Sequence, residues 1–123
     1  MATIADRVLD NGLTVLDTEA NRVDITSAES TTFAEATSTQ TLGNATSITI
    51  SAPADRSGGG RKVTMSAISN GTVTGTGNAT HYAITDTNNS RLLVTGSLTA
   101  SQSVTSGNTF SLEALDVGIP DPS

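Results

Sequence analysis

The chain has no cysteine and no tryptophan. Without thiols it can form neither a disulfide framework nor a thiolate metal site. A single histidine, His81, likewise excludes a multi-histidine zinc centre within one chain. Aromatic residues make up 2% of the 123 residues, as Phe33, Tyr82 and Phe110. Each ring normally buries on the order of 150–250 Å², so Val, Ile, Leu, Ala and threonine methyls must fill a thin core. Six basic residues stand against twelve acidic ones, and the net charge of -6 argues against binding the phosphate backbone of nucleic acid. No apolar run reaches the length of a membrane span. "MATIADRVLD" lacks the cationic run and apolar block of a secretory signal. The expectation is a soluble protein made in a cytoplasm.

What the chain does have is short alternating runs. "NRVDITS" (21–27) sets Val23 and Ile25 against Arg22, Asp24 and Thr26, the pattern of a strand with one buried face. "TSITISA" (46–52) and "RKVTMSAIS" (61–69) alternate in the same way, and Ile68 breaks the phase of the second, which suggests a bulge. "ATHYAITD" and "RLLVTGSL" flank Thr87–Ser90, where Asn88-Asn89 can take the left-handed turn conformation. "QSVT" and "NTFSLEALDVGI" flank Ser106-Gly107. "AESTTFAEATSTQTLGN" (28–44) is polar without a clear period and reads as a long loop anchored by Phe33. Short strands at this spacing predict an all-β fold, an antiparallel β-sandwich or jelly-roll-like barrel, preceded by a short helical or extended N-terminal segment.

That first segment has three readings. Ile4, Val8 and Leu9 are at helical spacing behind Thr3 as a cap, with Asp6 three residues on. A short helix ending at Asn11-Gly12 is preferred. A single helix through Leu13 and Leu16, or a hairpin at Asn11-Gly12, are the others. Residues 1–20 are thus an arm or short helix, 21–119 the β-sandwich domain and 120–123 a tail, where the prolines of "IPDPS" cannot donate to a ladder.

Candidate chemistry is sparse. "SGGGRK" (57–62) misses the spacing of a phosphate-binding P-loop, and Val63 stands where Ser or Thr is needed, so a hairpin loop is expected. "DTNNS" (86–90) has too few acids for a calcium loop and reads as a turn. Asp6, Asp10, Asp17, Glu19 and Asp24 read as a solvated acidic face rather than a paired acid and base. No G-x-S-x-G elbow accompanies His81. Tyr82 and Ile84 share the core face of their strand, so His81 should point outward or into an interface. Asn-x-Ser/Thr triplets at Asn44, Asn70, Asn78 and Asn88 are read as products of Asn- and Thr-rich turns. Arg56, Arg61 and Lys62 are half the basic residues, gathered on one loop, and suit contact with an acidic partner surface. No catalytic, cofactor-binding or metal-binding set is predicted.

The run from Ala79 to Leu112 resembles small virion structural proteins of tailed bacteriophages, of the head-decoration or tail-fibre-like β-sandwich type. The resemblance is carried by Ala79, Thr80, His81, Tyr82, Ala83, Ile84 and Asp86, then Leu92, Leu93, Gly96 and Leu98, then Val104, Gly107, Phe110 and Leu112. "ADRVLDNGLTVLDTEANRVDI" also looks like the start of phage structural proteins of this size. The resemblance implies a non-enzymatic building block of a virus particle, assembled in the host bacterial cytoplasm. It implies the major capsid protein or other virion proteins as partners and no cofactor. The concrete expectation is a capsid decoration or cement protein, homo-oligomeric, with a trimer as first guess. Ile4, Arg7, Val8, Arg56, Arg61, Lys62 and His81 are the expected partner contacts. A tail-fibre-associated or head–tail connector role, or a glycan-binding β-sandwich module, are the alternatives.

Overall fold

The computed structural model describes residues 6–46 and 48–119, with side chains from Gly12 onward. The fold is all-β and antiparallel, as the alternation predicts, with one helix before the first strand. The chain divides into two compact units.

One unit holds residues 20–48 and 68–112. Its curled sheet has six strands: β1 (Arg22–Thr26), β2 (Thr41–Ala45), β5 (Ile68–Val73), β6 (Gly77–Asp86), β7 (Arg91–Val104) and β8 (Thr109–Leu112). They are ordered β7-β6-β1-β2-β5-β8. The other unit holds the helix α1 (Asp6–Glu19), residues 49–67 and residues from 113 onward. Its sheet has three strands, β3 (Ala54–Asp55), β4 (Arg61–Met65) and β9 (Leu115–Ile119), with β4 in the middle.

β1 lies inside the six-stranded sheet, between β6 and β2. Val23 and Ile25 are fully buried, as the pattern requires, but so are Asp24 and Thr26 on the other face. The alternation therefore marks polarity, not exposure. Asp24 is tolerated because Arg22, two residues back on the same strand, grips it through Nε and Nη2 at 2.7 and 2.8 Å. The Thr41 hydroxyl donates a third bond at 2.6 Å. A buried carboxylate needs such partners.

The rings pack against glycines. Phe110, on β8, lies over Gly71 of β5, where any Cβ would overlap its ring, and reaches on toward Gly43 of β2. Tyr82 of β6 covers its cross-strand partner Gly96 of β7, where a Cβ would sit 2.6 Å from the ring. Glycine within a strand costs stability, and here it makes room for the few large side chains available. Ile84, Ala83, Val73, Val104 and Leu112 complete this core.

Several predicted boundaries are corrected. The helix is single and runs through Asn11-Gly12, because Leu13 and Leu16 on its next turns are both buried. The predicted loop 28–44 contains a π-helical turn (Glu35–Thr39) and the start of β2. Ala36, rather than the half-buried Phe33, is its fully buried residue. "TSITISA" is not a full strand. Ile50 bridges Met65, and backbone bonds join Ser51 to Thr64 and Ser66 to Thr49. The phase break at Ile68 is a strand boundary, since β4 belongs to one sheet and β5 to the other; a register shift follows between Ile68 and Gly71. "RLLVTGSL" and "QSVT" form one 14-residue strand, β7, with two register shifts against β6. "NTFSLEALDVGI" divides at Glu113-Ala114 into β8 and β9. In the 87–90 turn the left-handed residue is Ser90 (φ 54), not an asparagine.

Candidate functional site

The expected partner contacts are divided between the two units. Ile4 lies outside the described residues. Arg7 and Val8 are on the helix backbone, and their side chains are outside the description. His81 is half-buried on β6, in the six-stranded sheet, whereas Arg56, Arg61 and Lys62 belong to the three-stranded one.

His81 Nδ1 is 2.8 Å from the Thr80 hydroxyl, which itself donates to the Ser27 carbonyl at 3.0 Å. Among the described residues no carboxylate is hydrogen-bonded to the ring, as the orienting acid of a triad would be. Burial raises the pKa of the neighbouring Tyr82 phenol.

The acidic residues do different work. Asp17 is exposed, as a solvated face requires, but Asp24 is buried in the Arg22–Thr41 network. Asp6 and Asp10 carry side chains outside the description. Asp86, 1% exposed, accepts from the Asn88 backbone N–H at 3.0 Å and the Asn89 amide at 2.8 Å. Those bonds, the Asn89 amide first, hold its carboxyl below the usual aspartate range. "DTNNS" is thus an Asx-stabilised turn. Among the described residues no group of three or more His, Cys, Asp or Glu side chains gathers as metal ligands.

A concavity lies on the three-stranded sheet. β3 and β4 form a hairpin whose tip is Arg56–Gly60, with Gly58, Gly59 and Gly60 at φ 88, 103 and 93. Three successive positive φ values explain "GGG", since only glycine takes that backbone without strain. The tip is closed by Arg56 N–H to Gly60 O and Gly59 N–H to Arg56 O, each 3.1 Å. Arg56, Ser57 and Lys62 line a recess of about 380 Å³ with Asp116 and Gly118 of β9.

The three cations of the hairpin have separate fates. Arg61 is bound to Asp55 at 2.6 Å and also donates to the Pro53 carbonyl. Lys62 pairs with Asp116 at 3.1 Å, and Thr64 donates to the second Asp116 oxygen at 2.7 Å. The Thr64 bond, then Lys62, hold the Asp116 carboxyl below its ordinary value. Arg56 folds back so that Nη1 donates to the Gly59 carbonyl at 3.0 Å. Its Cδ passes so close to β9 that a Cβ on Gly118 would lie 2.9 Å away. The missing side chain at Gly118 leaves room for that close approach. Arg56 has no carboxylate partner among the described residues.

Asp116 and Gly118 escape sequence reasoning. They meet Lys62 through β4–β9 pairing across more than fifty residues, and no local motif marks them. No protein-family model, curated protein or solved structure matches the chain.

Proposed function

We propose that this chain is a non-enzymatic virion structural protein, and most concretely a capsid decoration protein that binds the assembled head. The observation that carries the reading is the use made of its rings. Tyr82 and Phe110, two of the residues that carry the phage resemblance, are laid over strand glycines as packing material. The other resemblance positions fall on β6, β7 and β8 and on the turn at Gly107 (φ 93) that joins the last two, all positions that build the sheet. A polar, threonine-rich β block suits binding across neighbouring capsid subunits. By binding only the assembled shell it would stabilise that shell through mass action. Copies clustered about a local symmetry axis, as trimers, give such a block repeated contacts.

The test compares particles assembled with and without the chain. Particles lacking it should be less resistant to heat and dilution, and imaging should place the protein on the head. Equal robustness, or density on the tail alone, contradicts the reading.

A further inference from the structure

We propose that the recess between the Arg56–Gly60 tip and β9 is a binding site for the carboxylate of an acidic protein segment. The inference gives the virion reading its contact, and it rests on that reading only for the partner's place on a particle.

Three features of the recess point to an oxyanion. Arg56 lines it and, although held by the Ser57 and Gly59 carbonyls, keeps donors that no carboxylate among the described residues takes up. A guanidinium edge of this kind matches a carboxylate in plane and spacing. Lys62 lines the same space, one-third exposed, with its ammonium already steered by Asp116. Both cations are anchored before a ligand arrives, Arg56 by the tip and the gap at Gly118, and Lys62 by its ion pair. Preorganisation of that sort lowers the ordering cost of binding.

The charge count selects the class of anion. Arg56 and Lys62 against Asp116 leave the recess at +1, on a chain whose net charge is -6. A singly charged carboxylate neutralises it. A doubly charged phosphate would overshoot, and would stand beside the Asp116 carboxylate, which its hydrogen bonds keep ionised. An acidic partner would otherwise be repelled by this chain. The recess supplies a local attraction that fixes where such a partner can dock.

The experiment titrates the ¹⁵N-labelled full chain with a glutamate-rich peptide and, in a separate arm, with inorganic phosphate. The peptide should shift the Arg56 side-chain and Gly58–Gly60 and Gly118 amide resonances. Arg56→Gln should weaken binding about ten-fold or more, the loss expected for a charge-assisted bond. Gly118→Ala should also weaken it, by pushing Arg56 off β9. Arg91→Gln, which removes the same charge from the six-stranded sheet, should leave affinity unchanged. Three results would overturn the assignment: no shifts at these positions, tighter binding of phosphate than of peptide, or an equal loss in Arg91→Gln. If the peptide binds as expected but Arg56→Gln particles keep their full complement of the protein, the recess stands and the capsid-contact reading falls.

Discussion

Asp24 and Asp116 are each held by a nearby cation, at 2.7 Å from Arg22 and 3.1 Å from Lys62. Each also accepts a threonine hydroxyl, from Thr41 and Thr64. What differs is the surroundings. Asp24 is fully buried in the six-stranded sheet, whereas the Asp116 side chain is 55% exposed on the three-stranded one. The same chemical motif therefore serves two ends. Buried, it fixes how β1 meets β2, because an unpaired charge there is intolerable. Exposed, it contributes at most about 1 kcal/mol to stability and is free to orient a lysine toward a partner. One sheet spends its polar groups on specifying the fold, and the other leaves them where a second molecule can use them.

The largest blow to this division should come from Phe110→Ala. It empties the space over Gly71 and Gly43, and truncating a buried Phe costs about 3–5 kcal/mol, readable as a shift of the urea midpoint. Thr85→Val should act in the opposite direction. The Thr85 hydroxyl is buried on β6 with no hydrogen-bond partner among the described residues. Replacing it by a methyl should stabilise the chain by about 1 kcal/mol, and a loss of stability would show that the hydroxyl has a function. Asn89→Ala should have the smallest effect, a loss of stability that is present at neutral pH and fades in acid. The pKa of Asp86 is lowered in the folded chain, so its contribution is present above the unfolded value and is lost as pH falls through the folded one. Without the Asn89 amide that folded value rises toward the ordinary 3.8, so the deficit relative to the parent chain, read from urea midpoints across pH, should be largest at neutral pH and close as pH falls through the parent's folded value.

The antiparallel β class was legible in the alternation of Val23 with Ile25 and of Val63 with Met65, because period-two polarity is a local property. Three things were not. Whether the second face of a strand is covered depends on its neighbours in the sheet, so Asp24 read as solvated. Which sheet a strand joins is equally non-local, so the passages from β4 to β5 and from β8 to β9 read as continuous runs. The helix crossed Asn11-Gly12 because burial of Leu13 and Leu16 outweighs a turn signal that ordinarily ends helices. At the recess, the basic residues and the glycine tip were visible as a cluster. Asp116 and Gly118, which give the cluster its charge balance and hold Arg56 in place, arrive only through the pairing of β4 with β9.

The most direct test of the contrast between the sheets is to measure urea unfolding of Asp24→Asn and Asp116→Asn side by side. Asp24→Asn should lose about 3–5 kcal/mol, the cost of breaking a buried pair, and Asp116→Asn no more than about 1 kcal/mol. Equal losses would contradict the account, since the two carboxylates would then be doing the same work.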